Sequence, residues 1–382
     1  MLINSSIKNK YLLFLVLLIP TQFFAQSKFK LEIEAPSYLN DSLLFAPPVI
    51  RIGFEELYNF KLDTNNNINS FGEKFGIKSS IFKIKIKERN IIEGQFEYPQ
   101  PVSFQYFDLK THQVYLSSTF FLDTGHYKIT LPSMFDYYEI NMNSPLNNEY
   151  SNFKKLFSNL YLKRLNAKYG FDSLIDLTEK EKRIGSYIKV HPNSYVALWE
   201  IVNDYTHYNY NSIYLNNLQL FSNAIKENKL FKKFESKLKA EDSTMIGKDF
   251  PSIYFDNQNM LTKENFQKYK ITFIDCWSTT CIPCIKSMPE IVTMYKKYHN
   301  RGINFISITE EKEPKRIEIA KKILTKNNVK WTNYFDINKD FNQKLNVTAY
   351  PFHLLIDQNG KIIARDFGNL NEIKKVIDES LK

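Results

Sequence analysis

Phe82, Ile84 and Ile86 alternate with Lys83, Lys85 and Lys87, a period of two that marks a half-exposed strand. Similar aromatic and β-branched runs cover Val102 to Phe107, Val114 to Leu122 and His126 to Leu131, with turns at Asp108–Thr111 and Asp123–Gly125. Residues 26–142 are therefore expected to form a β-rich domain, an antiparallel sheet or sandwich. No catalytic constellation is visible in it.

The period then changes. Ser144-Pro145 is a plausible helix start, because proline is favoured in a first turn, and Phe153, Leu156, Phe157, Leu160 and Tyr161 follow at helical spacing. Thr178 and Glu181 resemble a capping box for another helix. Tyr195 to Tyr205 and Leu218 to Leu238 read as two more. Residues 143–242 are expected to be helical, their aromatic stripes serving as core. His112, His126, His191 and His207 show no metal-ligand spacing.

From about residue 245 the elements alternate. Strands are expected at 252–255, 271–276, 303–308, 352–356 and 361–365. Helices are expected at 281–299, 314–327, about 339–345 and 370–381. Gln358-Asn359-Gly360 marks a hairpin, since Asn-Gly readily adopts the positive φ of a tight turn. A β-α-β unit followed by a hairpin and a terminal helix implies an α/β domain, a mixed sheet covered by helices.

Composition changes this picture little. The 382 residues suggest two or three domains, and 43% hydrophobic residues supply ample core. The net charge of +10 comes from scattered lysines, without a like-charge block or a nucleic-acid motif. No nucleic-acid partner is expected.

The first residues add an address. Lys8 and Lys10 precede an apolar run from Tyr11 to Pro20, then Phe23-Phe24-Ala25, in the manner of a secretory signal. Residues 1–25 are expected to be a signal peptide cleaved after Ala25. Phe23 at the −3 position departs from the small-residue rule and leaves an uncleaved anchor open. No cysteine follows the run, which argues against a lipoprotein anchor.

All three cysteines, Cys276, Cys281 and Cys284, fall within nine residues. A secreted chain braced by disulfides would spread more of them along its length. Cys281-Ile282-Pro283-Cys284 follows a buried strand and opens a helix, where free N–H groups and the helix dipole lower a thiol below its usual value of about 8.5. The thiolate attacks in exchange chemistry. Cys281 is thus the expected nucleophile and Cys284, one turn on and more buried, the resolving thiol. Zinc lacks a second ligand pair, a ferredoxin-type cluster lacks its fourth cysteine, and a silent structural disulfide fits the setting less well. Peroxidase chemistry is disfavoured because Ile274 stands where its motif needs proline.

Asp275-Cys276-Trp277-Ser278-Thr279-Thr280-Cys281-Ile282-Pro283-Cys284, with Pro289 beyond it, resembles the active-site stretch of thioredoxins. More closely it resembles the secreted TlpA/ResA-like thiol–disulfide oxidoreductases, over residues 245–382. Val347-Thr348-Ala349-Tyr350-Pro351 is similar to their cis-proline loop. The resemblance implies a thioredoxin fold and no cofactor beyond a redox-active Cys281–Cys284 disulfide. It implies that Pro351 faces the cysteines and that client chains are met by Tyr350, Pro351, Trp277, Ile282 and Pro283. Asp275 matches the buried acid that moves a proton for the resolving cysteine, a task suited to a carboxyl in an apolar strand. Thr280 and Ile282 depart from the family's usual residues, and Cys276 reads as a small buried hydrophobe. The upstream stretches Phe120 to Tyr127, Ser144 to Tyr150 and His191 to Tyr195 resemble the domain fused to TlpA-like proteins of Bacteroidetes.

The function expected is an exported, periplasmic or envelope reductase of disulfides in client proteins, recharged by a membrane thiol–disulfide donor. An oxidase or isomerase would use the same residues. An alternative is an envelope binding or redox-sensing protein whose N-terminal domain carries the main role.

Overall fold

The structure, a computed structural model, describes residues 27–35, 42–48, 57–63, 65, 67–70, 81–85, 89–108, 113–131, 140–162, 173–256, 258–347 and 349–382. The signal peptide expected at 1–25, residues 86–88 of the alternating lysine strand and Thr348 lie outside these. The chain divides into two compact units, 1–151 and 152–382.

In the first unit, β1 (Ser27–Glu34) buries Phe29, Leu31 and Ile33 and turns the residues between them outward. It lies between β10 (Gly125–Thr130) and β6 (Arg89–Phe96), with β3 (Lys61–Leu62) beyond β6. A second sheet runs β4 (Ile68–Ser70), β5 (Phe82–Lys85), β2 (Ser42–Ala46), β7 (Gln100–Asp108) and β8 (Gln113–Leu116), with β9 (Phe120–Leu122) also on β7. One core joins Leu31 and Ile33 to Phe45, Phe104 and Phe120, so the sheets pack face to face as a sandwich.

Two expectations need correction here. β1 pairs with β10 in parallel, so the first sheet is mixed rather than antiparallel throughout. The run from Val114 to Leu122 is two strands. Ser117 and Ser118 divide it, their hydroxyls accepting from the Phe104 and Ile140 amides.

The division between the units falls within α1 (Pro145–Lys155), which opens on its proline as expected. It stops before Leu156, and Tyr161 and Leu162 form β11, paired with β12 (Ser173–Leu174). The expected helical stripe is therefore cut short, although Phe153 and Phe157 remain buried. Next come α2 (Leu177–Val190) and α3 (Tyr195–Tyr208). Asp176, rather than Thr178, caps α2, its carboxylate accepting from the Glu179 amide at 2.9 Å. The single helix expected over 218–238 is three: α4 (Ser212–Leu218), α5 (Asn223–Lys226) and α6 (Lys229–Asp242). Ser222 and Asn228 cap the second and third with their own side chains, which ends the preceding turns.

The rest of this unit is built on five strands, in the order β17 (Thr332–Phe335), β16 (Ile303–Thr309), β15 (Ile271–Trp277), β18 (Phe352–Asp357) and β19 (Ile362–Phe367). β15 is buried at every position. It lies parallel to β16 and antiparallel to β18. The helices are α7 (Ile282–Tyr298), α8 (Pro314–Lys326), α9 (Asp340–Lys344) and α10 (Leu370–Ser380). A small hairpin, β13 (Ile253–Tyr254) with β14 (Met260–Leu261), precedes the sheet. This is a thioredoxin-like fold. β17 was not foreseen, since none of its residues is fully buried. At the hairpin, Gly360 alone takes a positive φ, 77°, while the Asp357 carboxylate accepts from the Asn359 and Lys361 amides.

Candidate active site

Alternation along β15 sorts its residues onto two faces. Phe273, Asp275 and Trp277 share the face beneath α7, where Phe273 packs with Ile291 and Met294 and Trp277 with Cys284 and Met288. Ile274 and Cys276 belong to the core on the other face. The strand ends at Trp277, and Ser278 to Thr280 carry the chain to the start of α7.

Cys281 is the N-cap of α7, in an extended conformation (φ −80°, ψ 92°). Its sulfur accepts from the Cys284 amide at 3.2 Å, in the place where a capping oxygen usually sits. The two cysteines are joined by a disulfide, with Cα atoms 5.3 Å apart. Cys281 is half-buried, whereas Cys284 is 2% exposed. Incoming thiols therefore reach the first sulfur more easily than the second. Ile282, 64% exposed, and Pro283 project from the first turn.

The Tyr350–Pro351 peptide bond is cis, and both residues are half-buried. Tyr350 packs beside Trp277, Cys281 and Cys284, so the expected proline loop and the cysteine motif are brought together. The phenol donates to the Glu310 carboxylate, which also accepts from Asn342 at 2.6 Å and pairs with Lys339. Burial acts to raise Glu310, but Lys339, Tyr350 and Asn342 together hold it below its ordinary value. Burial first, then the neighbouring Cys276 and the Glu310 carboxylate, push the Tyr350 phenol far up. It stays a neutral donor.

Trp277 requires a correction. Expected as a client contact, it is fully buried beneath the disulfide, its indole N–H directed at Asn333 Oδ1 at 3.4 Å. It supports the motif from below and has no exposed surface to offer. Cys276 is the free thiol, also fully buried, and burial followed by the charge of Asp275 pushes it well up. Pro289 lies inside α7. Asp275 is 3% exposed, and His353 of β18 stands opposite it, with Nε2 3.4 Å from Oδ1.

Sequence reasoning missed a clamp on the loop before the cysteines. The Thr279 amide donates to Glu311 at 2.8 Å, its hydroxyl bonds the same carboxylate, and Arg316 donates to that hydroxyl at 2.9 Å. Glu311 and Arg316 line a cleft of about 180 Å³ with Glu310, Lys312, Asp336 and Lys339. Charged residues after a strand are common, and only the fold shows that these reach the loop.

Residues 231–381 match the Redoxin family. The ResA thiol-disulfide oxidoreductase of Bacillus cereus (strain ATCC 10987) is 27% identical over 154 residues, 40% of this chain and 86% of the relative. That of Bacillus thuringiensis subsp. konkukian is 28% identical over 144 residues, 37% of this chain and 80% of the relative. Among solved structures, the thioredoxin domain of a thiol-disulfide oxidoreductase from Bacteroides vulgatus aligns at 19% identity. It covers 36% of this chain and 99% of its own, with a TM-score of 0.32. A DsbE-type interchange protein from Chlorobium tepidum aligns at 20% identity, covering 36% and 96%, with a TM-score of 0.31. The C-terminal part of the chain is therefore similar to the TlpA/ResA-like proteins of the thioredoxin superfamily and is a thiol–disulfide oxidoreductase by class.

Proposed function

We propose that the protein is exported and reduces disulfides of client proteins in the cell envelope through Cys281 and Cys284. The observation that carries this reading is the asymmetry of the pair: a half-buried sulfur at the helix cap, and a buried partner one turn on. In the dithiol form, the Cys284 amide and the start of α7 stabilise a Cys281 thiolate. That thiolate attacks one client sulfur, and the other client sulfur leaves as a thiolate. Cys284 loses its proton and attacks Cys281, closing the internal disulfide and releasing the second client sulfur. Two electrons pass from the cysteine pair to the client. A membrane thiol donor then restores the dithiol.

Client chains would lie across Ile282, Pro283, Tyr350 and Pro351, which keep exposed surface. Asp275 would take the Cys284 proton. No cofactor beyond the cysteine pair enters this scheme. Export rests on the basic and apolar pattern of residues 1–25. Among the described residues, no helix is long and apolar enough to cross a membrane. The domain assignment that goes with this reading is a β-rich domain at 26–142, a helical region at 143–242 and the redox domain at 245–382.

Insulin reduction by purified protein with a thiol donor tests the chemistry. Cys281→Ser is expected to abolish turnover, and Cys284→Ser to accumulate a client-linked species visible on a non-reducing gel. Undiminished turnover in both variants would remove the proposal.

A further inference from the structure

The resolving thiol poses a problem of proton affinity. Cys284 is buried and must lose its proton before it can attack. An ordinary carboxylate, with a pKa near about 4, is a weak base for a thiol near about 8.5, whereas an imidazole, near about 6.5, is better matched. Asp275 has an imidazole beside it. Antiparallel pairing of β15 with β18 sets Asp275 opposite His353, so their side chains share the face beneath α7. His353 is fully buried, with Nε2 3.4 Å from Asp275 Oδ1, and its ring lies 5.6 Å from that of Phe273. Neither ring nitrogen has a hydrogen-bond partner, apart from this close approach of Nε2 to the carboxylate.

Other polar groups on this face are few and occupied. Ser307 of β16, in register with Asp275, accepts from the Trp331 indole at 2.7 Å. Asp366 of β19, in register with His353, accepts from the Asn369 amide at 2.8 Å. α7 brings Cys284, Met288, Ile291, Met294 and Tyr298 to this face, with Tyr295 packed against it, and α10 brings Leu370, Ile373 and Ile377. The Tyr298 hydroxyl is occupied, donating to Asp378 at 2.9 Å, and Cys284 is the one thiol among these helix residues.

We infer that Asp275 and His353 act as a unit that holds the proton of Cys284 during the resolving step. The inference rests on the proposed roles of Cys281 and Cys284 and extends them to a residue no sequence motif marks. In the mixed disulfide, the Cys284 thiol gives its proton to Asp275, and His353 Nε2 shares it. The Cys284 thiolate then bonds to the Cys281 sulfur, the Cys281–client bond breaks, and the client leaves as a thiolate. On reduction of the internal disulfide, the proton returns from the Asp275–His353 unit to Cys284. His353 acts through Asp275 and is a positioning residue, not a catalytic one.

The test separates the two chemical steps by stopped flow across pH 5–9. The wild type, Asp275→Asn and His353→Gln are mixed with a disulfide peptide, reading peptide consumption and internal disulfide formation separately. In His353→Gln, attack on the peptide should keep its wild-type rate and pH profile. Resolution should slow by at least about tenfold near neutral pH and regain speed as pH rises. An unaltered resolution profile in His353→Gln would overturn the inference, even where Asp275→Asn is slow, because Asp275 would then act alone. Slowing of both steps equally would also overturn it, since that is the signature of a distorted fold. A measurement on the intact protein adds a check without mutation. The His353 ring resonances should differ between the dithiol and disulfide forms at neutral pH, and identical resonances in the two forms would contradict the shared proton. Failure of the underlying reading shows differently, as peptide attack surviving Cys281→Ser.

Discussion

Three sulfurs lie within nine residues, and their surroundings assign them different chemistry. Cys281 sits at a helix cap within reach of solvent. Cys284 faces Trp277 and Met288, and Cys276 lies on the opposite face of β15, against Asn342 at 3.8 Å. Burial raises the Cys276 thiol, so it is a poor nucleophile at neutral pH. After reduction, an alkylating reagent should label Cys281 rapidly in the native protein. Cys276 should react only on unfolding, as mass spectrometry of timed samples would show. Labelling of Cys276 at the rate of Cys281 would contradict its placement. The placement of the cysteine pair at a helix start, and of Asp275 in the buried strand before it, was legible in the sequence because the pattern is local: two thiols one helical turn apart, after an apolar strand. His353 was not legible. A histidine inside Phe352 to Ile356 looks like one polar residue in a buried strand, and its neighbour is set by strand pairing between distant segments. Trp277 was misread for a related reason. Adjacency to the motif in sequence suggested exposure, whereas alternation along β15 directs it inward.

At the scale of elements, α2 and α3 are joined by a buried charge cluster. The Lys180 ammonium, on α2, bonds Glu200 and Asp204 of α3 at 2.6 Å each, while the neighbouring Glu181 carboxylate accepts from Asn217 Nδ2 at 2.6 Å. Burial and the charge of Glu200 outweigh Lys180 and raise Asp204 to about 6, and burial with Asp204 raises Glu181. Burial pulls Lys180 down, but its two carboxylate partners prevail and keep it charged. A carboxyl group raised in the folded state holds its proton more tightly there than in the unfolded chain. Its stabilising contribution is complete below about pH 4 and is lost as pH rises through about 6. Asp204→Asn lacks this titration. Urea midpoints from pH 4 to 8 should therefore show the wild type losing ground to the variant as pH rises, and a gap constant with pH would refute the upward shift of Asp204. The hydrophobic stripes of these helices were legible, but the cluster was not, since charged residues on a helix ordinarily face water. The break of the expected 218–238 helix turns on Ser222 and Asn228, whose side chains compete for backbone amides.

On the scale of the molecule, residues 247–250 run along an edge of the redox sheet, and Arg365 beside them links that domain to the end of the preceding helices. The Gly247 amide donates to the Ile362 carbonyl at 2.7 Å, the Ile362 amide to Lys248 at 2.9 Å, and the Phe250 amide to Gly360 at 2.8 Å. The Arg365 guanidinium, lowered by burial against the pull of Glu241 and Tyr205, donates to the Thr244 carbonyl at 3.0 Å and to Leu345 at 3.2 Å. A fragment beginning at residue 245 would strip Arg365 of Thr244 and of the nearby Glu241. Losing partners of a half-buried charged donor costs on the order of 1 kcal/mol. The family match, which begins at residue 231 inside α6, fits this dependence. Residues 152–382 already form a compact unit. The 152–382 fragment is expected to reduce insulin at the full-length rate, since every proposed site residue lies within it. The 245–382 fragment should melt several degrees below the 152–382 fragment, with its cysteine chemistry retained when cooled. Equal melting temperatures by circular dichroism would show that Arg365 does not couple the helices to the redox domain. A 152–382 fragment that folds but is inactive would instead place part of the reaction in the β-rich unit, and the first region would then have a role beyond its own sandwich.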